Sequence, residues 1–289
     1  MARQPNTRTG ADRRRSVTTR ASSARSEVTT RRRSSAPREG APRRGAPRDD
    51  DRRFAAPGGR AKREPRALDP AKLLARQPWA RLRPLLERCG VDREIALARL
   101  ERYATLLLEW NRGVSNLISR NDEPRLVERH LAESLQPARE LMDAGVESVL
   151  DLGSGAGLPA IPLAIAGVGK RWLLVESRRN KTLFMRKAIM ELGLTGVEVR
   201  LGRLEVLVDG ELRDTRLDAF TSRATMLLGP TLELAEKLLK PGGRAFLWKG
   251  SGVGEEMARD GSGWQSRWAH ESTTTFDNGP NTFATFRLR

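Results

Sequence analysis

The stretch Asp151-Leu152-Gly153-Ser154-Gly155-Ala156-Gly157 constrains this chain more than any other seven residues. Three alternate glycines weaken the interior of a strand or a helix, so they mark a turn. One apolar run ends at Leu152 and another begins at Leu158, which makes the turn a strand-to-helix connection. Glycines there let the backbone take positive φ and approach a ligand, and the helix beyond offers unpaired N–H groups. Pro159 suits the first turn of that helix, where its missing N–H costs nothing. A glycine turn with no ligand is the plain alternative.

Segments 148–152, 172–176, 197–201, 218–222 and 244–248 read as strands. Helical stretches 159–166 and 180–192 separate the first three; 231–239 separates the last two and ends at Pro241-Gly242-Gly243. This alternation predicts an α/β fold, a parallel sheet with helices on both faces. A strand pair, 266–276 and 282–288, turned at Asn278-Gly279, closes the chain. Ahead of the sheet, 70–87 is predicted helical and to stop at Gly90. Asp92 caps a second helix with Leu97, Leu100, Ala104, Leu107 and Trp110 on its buried face. A third helix, starting near 122–124, carries Leu126, Val127, His130, Leu131 and Leu135 on one side.

Residues 1–66 hold 20 Lys and Arg against 7 Asp and Glu, no leucine or isoleucine, and Phe54 as their one aromatic. Such a segment cannot bury enough apolar surface to offset its ordering entropy, so a disordered basic tail is expected. Its Arg- and Ser-rich start has a transit-peptide composition, but Val17 and Val28 make no apolar face. The remaining residues are near neutral, 33 basic against 29 acidic. The predicted organisation is a tail over 1–66, a helical layer over 67–145 and a sheet domain over 146–289. A single cysteine, Cys89, excludes a disulfide framework or cysteine zinc site and fits a reducing compartment. Two histidines, His130 and His270, cannot build a three-histidine centre, so no metal is expected. The longest apolar run, 158–168, contains two prolines and falls short of a membrane span. No signal peptide opens the sequence. The expectation is a soluble cytoplasmic monomer without membrane contact.

Glu176 ends the second strand, where an acid in a doubly wound fold accepts hydrogen bonds from ribose hydroxyls. Gly155, Gly157 and Ala160 also satisfy the dinucleotide pattern G-x-G-x-x-G/A, which leaves a nicotinamide enzyme open. Three features lean elsewhere: Gly153 directly after the strand acid Asp151, the Pro-Gly-Gly turn, and the terminal antiparallel pair. Together they resemble the Rossmann-like class I S-adenosylmethionine-dependent methyltransferases. That resemblance implies S-adenosyl-L-methionine as cofactor, its methionine part near Asp151 and the loop.

Exclusions narrow the acceptor. Methylation at C5 of a pyrimidine needs a cysteine nucleophile, and Cys89 lies ahead of the sheet beside Gly90, where core packing accounts for it. Enzymes that methylate exocyclic amines resemble one another in an Asn/Asp-Pro-Pro-aromatic turn after strand four; here that position reads Thr221-Ser222-Arg223-Ala224. Acceptors that need little base catalysis remain, guanine N7 among them, for which the enzyme chiefly aligns nitrogen, methyl and sulfur.

Residues from about 106 to 250 carry a narrower resemblance. Its landmarks are Trp110-Asn111 with Asn116-Leu117, Arg129-His130-Leu131 with Glu133-Ser134, and the glycine loop extended by Leu158-Pro159 and Ile161-Pro162-Leu163. They continue with Gly202-Arg203-Leu204-Glu205, Ser222-Arg223-Ala224 and Trp248-Lys249-Gly250. These resemble the small-subunit ribosomal RNA methyltransferase G family, also called glucose-inhibited division protein B. The resemblance implies methylation of a guanine at N7 in small-subunit (16S) ribosomal RNA, as RNA or within the 30S subunit. It implies Gly153, Gly155 and Leu158 at the cofactor, Glu176 on its ribose, and Leu204 and Glu205 beside its adenine. It puts Arg223 where cofactor and RNA meet and Lys249 in the same cleft, both as positioning residues, with no acid or base required. Plain readings stand beside these: strand-end charges for Arg223 and Lys249, a helix start for Glu205, and core packing for Trp110 and His130. The pair Arg178-Arg179 either touches phosphate or covers a helix start against the dipole. Departures are Ala160 for a glycine, Glu176 for an aspartate, and Pro280-Asn281-Thr282 where relatives carry a Glu-Arg-His type segment. The basic tail offers sequence-independent attraction to phosphate in compensation. Alternatives are a methyltransferase of another RNA or a small molecule, and a non-catalytic RNA-binding assembly factor.

Overall fold

The computed structural model describes residues 69–223, 225–259, 263–277 and 279–289. The expected disordered tail, Ala224 of the Ser-Arg-Ala landmark and Asn278 of the last turn lie outside the described residues.

Asp69 starts the first helix, α1 (Pro70–Leu74), by accepting the Ala71 N–H at 2.8 Å. The helix predicted over 70–87 is broken after this turn. Pro78 lacks an N–H and pushes Gln77 out of helical geometry, and the chain resumes as a 3-10 turn, Trp79–Leu82, leading into α2 (Arg83–Cys89). Gln77 is used at the break: its amide donates to the Glu123 and Pro124 carbonyls and accepts the Val127 N–H. Gly90 caps α2 at φ 72°, and Asp92 caps α3 (Arg93–Gly113) by accepting the Ile95 N–H at 3.0 Å. The predicted third helix is a 3-10 turn, Arg120–Arg125, a π-helix, Leu126–Ala132, and a short α4 (Glu133–Leu135). The carbonyls of Arg129 and His130 there also accept long-range bonds from the Arg223 guanidinium. Helix α5 (Ala138–Asp143) follows.

The sheet contains β1 (Ser148–Leu152), β2 (Arg171–Glu176), β3 (Val197–Leu201), β4 (Leu217–Arg223), β5 (Leu239–Lys249), β6 (Trp268–Thr275) and β7 (Thr282–Leu288). Its order among the described residues is β3-β2-β1-β4-β5-β7-β6. The first five strands run parallel, and β7 enters antiparallel between β5 and β6. The connecting helices are α6 (Ala160–Ile165), α7 (Arg179–Glu191), α8 (Leu204–Leu207), α9 (Leu228–Leu238) and α10 (Val253–Arg259). Pro159 stands one place earlier than expected, as the N-cap of α6. Pro241-Gly242-Gly243 does not precede β5 but lies within it. Leu239 already pairs with Leu217, and the register resumes at Ala219 with Arg244, so the two glycines form a bulge.

Strand alternation divides the core. Val149, Leu174, Ala219 and Phe246 join the N-terminal helices, α6 and α7 in one cluster. Leu150, Val175, Phe220 and Leu247 face α8, α9 and α10 in the other. Strand order reverses between β2-β1 and β4, the switch point at which ligands bind outside the carboxyl ends of parallel strands. The glycine loop follows β1 at that point.

Candidate active site

Backbone bonds hold the loop to β2. Gly153 and Ser154 donate their N–H groups to the Val175 carbonyl, and Gly155 donates to Glu176 Oε2 at 3.0 Å. Gly153 has φ 66°, and a Cβ there would stand 2.5 Å from Thr225 Cγ2. At Gly157, φ 84°, a Cβ would meet Ile161 Cδ1 at 2.4 Å, so this glycine lets α6 pack against the loop. From the other side, buried Tyr103 of α3 donates its hydroxyl to the Ala156 carbonyl at 2.7 Å. Burial holds that phenol above its ordinary pKa and keeps it a donor. Tyr103→Phe removes the bond and leaves a buried carbonyl unsatisfied. The expected cost is about 1–3 kcal/mol in chemical denaturation, with affinity for S-adenosylhomocysteine reduced several-fold by calorimetry. Unchanged values for both would show that the loop holds itself.

A cavity of about 280 Å³ opens beside the loop, lined among others by Gly153, Glu176, Gly202, Leu204, Glu205 and Met226. It brings together four of the predicted cofactor residues: Gly153, Glu176, Leu204 and Glu205. Gly155, Leu158, Arg223 and Lys249 are not among its lining residues. Gly155 acts behind Glu176, and Leu158 is buried in the core that α6 shares. The residues fit S-adenosylmethionine. Glu176 Oε2 accepts the Gly155 N–H and Oε1 accepts the Arg178 N–H at 2.8 Å, which orients the carboxylate and leaves acceptor lone pairs for a ribose diol. The space that a Cβ on Gly153 would fill lies on the wall of the same cavity.

Arg223 ends β4 but turns inward. Its guanidinium pairs with Glu133 Oε2 at 2.8 Å and donates to the Arg129 carbonyl at 2.8 Å and the His130 carbonyl at 3.4 Å. The Glu133 side chain is only 2% exposed; burial lifts its carboxyl above the usual range, and Arg223 draws it back down. Asn281, in the segment where basic residues were expected, donates to the same carboxylate at 3.2 and 3.3 Å. Lys249 Nζ donates to the Met226 carbonyl at 2.9 Å and pairs with Glu256 at 3.0 Å. It thereby ties the end of β5 to the segment whose Thr225 and Met226 line the cavity.

Half-buried His130 and buried Asp151 titrate in opposite senses. Burial, then Arg223, Arg129 and Arg125, hold His130 at about 3, against an ordinary 6.5. Its contribution to stability is complete above the unfolded value of 6.5 and is lost as pH falls toward 3. Burial lifts Asp151 to about 7 from 3.8, despite the Thr221 hydroxyl bonded to Oδ1 at 2.7 Å. Its contribution is complete below 3.8 and is lost as pH rises through 7. Each acts with a slope of about 1.4 kcal/mol per pH unit, so across about pH 4.5 to 6 they offset one another. The Tm of His130→Phe is expected to fall across that window and that of Asp151→Asn to rise. Parallel curves for both variants and the natural chain would refute the assignment.

The sequence reading does not single out Tyr103, Thr225 or Met226. The signal for Tyr103 was available: the chain's one tyrosine follows Leu100 by three residues on the apolar face of its helix, where a hydroxyl needs an acceptor. Thr225 and Met226 have no local signature, since only the β4–α9 connection brings them to the loop.

The sheet order with an antiparallel β7, the glycine loop after β1 and the acid ending β2 define a class I S-adenosylmethionine-dependent methyltransferase. The family model described as rRNA small subunit methyltransferase G matches residues 96–282. The ribosomal RNA small subunit methyltransferase G of Stenotrophomonas maltophilia (strain K279a) is 40% identical over 178 residues, covering 62% of this chain and 80% of that protein. That of Neisseria meningitidis (strain MC58) is 37% identical over 180 residues, covering 62% and 83%. The chain belongs to the rRNA small subunit methyltransferase G family. Its cofactor is S-adenosyl-L-methionine, and the nicotinamide alternative falls away.

Proposed function

We propose that this enzyme methylates guanine N7 in small-subunit (16S) ribosomal RNA. One observation carries the reading: in a chain of this family, Gly153, Glu176, Leu204 and Glu205 converge on one cavity at the carboxyl ends of β1 to β3. When bound, S-adenosylmethionine supplies a methyl group activated by its sulfonium. Guanine N7 has an in-plane lone pair that is free at neutral pH, so no side chain has to remove a proton first. The protein's contribution is alignment.

Gly153 leaves room for the methionine part of the cofactor, Glu176 takes the ribose, and Leu204 with Glu205 flanks the adenine. Gly155 aims Glu176 through its N–H, and Leu158 supports the loop from the core. Arg223 and Lys249 are positioning residues. The first holds Leu126–Ala132 and Glu133 against β4, and the second holds the Thr225–Leu227 segment. No helix among the described residues is long and apolar enough to cross a membrane. A cytoplasmic monomer acting on RNA or the 30S subunit, with the 1–66 tail adding nonspecific phosphate attraction, completes the proposal.

The test is transfer of labelled methyl from S-adenosylmethionine to small subunits lacking the modification, followed by borohydride and aniline cleavage at N7-methylguanine. Label in RNA with one cleavage site is expected. Label without cleavage would move the acceptor off N7. No label from protein shown to bind cofactor would refute the ribosomal substrate.

A further inference from the structure

The side chains of Arg178 and Arg179 remain unused by the site above, and the structure adds Lys181 to them. The three line a cleft of about 390 Å³ with Ser115, Asn116 and Asn180. Most neighbouring cations are paired, as Arg102 and Lys187 are with Glu191 and Arg200 is with Glu211. By contrast, the side chains of Arg178, Arg179 and Lys181 have no acceptor among the described residues. They gather at the start of the 13-residue α7, whose first turn holds no acid. Positive charge is disfavoured there by the helix dipole, so the arrangement repels itself unless an anion joins it. The Ser115 hydroxyl on the same wall is buried without a hydrogen-bond partner.

The cleft adjoins the cofactor loop. Lys181 Nζ lies 3.7 Å from where a Cβ on Gly155 would stand, and the Arg178 N–H donates to Glu176. An RNA strand lying across it passes beside the reacting centre. We propose that Arg178, Arg179 and Lys181 bind backbone phosphates of the substrate RNA and set its register over the active site. Guanidinium forks and an ammonium suit phosphate oxygens, and such contacts position a strand without reading its bases. The inference rests on the RNA methyltransferase reading and names where that substrate is held.

The test compares the full chain with its Arg178→Ala/Arg179→Ala/Lys181→Ala variant by fluorescence anisotropy on a labelled single-stranded fragment of 16S RNA, across a salt series. Both proteins carry the basic tail, so its contribution cancels in the comparison. Three lost phosphate contacts should make the slope of log affinity against log salt shallower by about 2. The KM for small subunits should rise about tenfold, with kcat and S-adenosylhomocysteine affinity held within about twofold. Arg178→Lys/Arg179→Lys should keep the slope, because charge rather than shape sets it. An unchanged slope overturns the proposal. So does a loss of S-adenosylhomocysteine affinity at constant slope, which would assign the cations to the cofactor's carboxylate. If the full chain transfers no methyl to RNA while the slope difference persists, the cleft stands and the catalytic reading fails. Normal transfer with an unchanged slope is the converse.

Discussion

Gly153→Asp is expected to abolish methyl transfer and to weaken S-adenosylhomocysteine binding by more than about 100-fold, equivalent to about 2.8 kcal/mol. Backbone strain is the smaller part, because aspartate is among the few residues that enter the left-handed region. The added Cβ falls 2.5 Å from Thr225 Cγ2, the end of an exposed side chain that can turn away. The carboxylate is the larger part. It enters a cavity of about 280 Å³ that Glu176 also lines, and removes both the space and the electrostatic balance that the cofactor needs. The fold should survive, with RNA affinity and far-UV circular dichroism close to those of the natural chain. Retained cofactor binding in this variant would place the cofactor elsewhere. Lost methylation with an intact cellular phenotype would favour the assembly-factor alternative over the enzyme.

Arg223→Ala is expected to destabilise the protein by about 3–5 kcal/mol, the cost of stranding one partner of a buried ion pair. Among the described residues, Glu133 would then keep only the long Asn281 contacts for its side chain, in a site where that side chain is 2% exposed. The Arg129 carbonyl would lose the guanidinium as well, while the His130 carbonyl keeps the Ser134 hydroxyl and the Glu133 N–H. At about 2–4 °C per kcal/mol for a domain of this size, Tm should drop by about 10 °C. Arg223→Lys should recover little, since a single ammonium cannot replace a fork that reaches a carboxylate and two carbonyls. Adding Glu133→Gln to Arg223→Ala should restore part of the loss by removing the stranded charge. A Tm unchanged in Arg223→Ala would mean that the guanidinium swings out to the cleft, returning Arg223 to direct contact with substrate.

Much of the fold is legible without coordinates because its determinants are local. Asp92 caps α3 and Gly90 ends α2, since a side-chain acceptor and a residue free to take positive φ are required at those places whatever surrounds them. The strand segments are recoverable for a similar reason: alternate residues must serve two buried faces. The misreadings arise where a local rule meets a distant partner. The period over 126–135 suits an α-helix, but the segment folds as a π-helix whose Arg129 and His130 carbonyls also receive Arg223, some ninety residues later. Pro241-Gly242-Gly243 has the chemistry of a turn and becomes a bulge because Leu239 is already paired with Leu217.

The site divides along the same line. From its residues alone, the chain determined a glycine loop after a strand acid and an acid at the end of the next strand. The loop requires positive φ at fixed positions, and that demand is written in residue type. Tertiary structure decided which charges face a ligand. Arg223 and Lys249 stand at strand ends with open space in prospect, yet packing gave them Glu133 and Glu256. Arg178 and Arg179 stand at a helix start, and their side chains received no partner among the described residues. The carboxylate nearest a cation is set by elements brought together only in the folded chain, and the short range of a hydrogen-bonded ion pair makes that placement decisive.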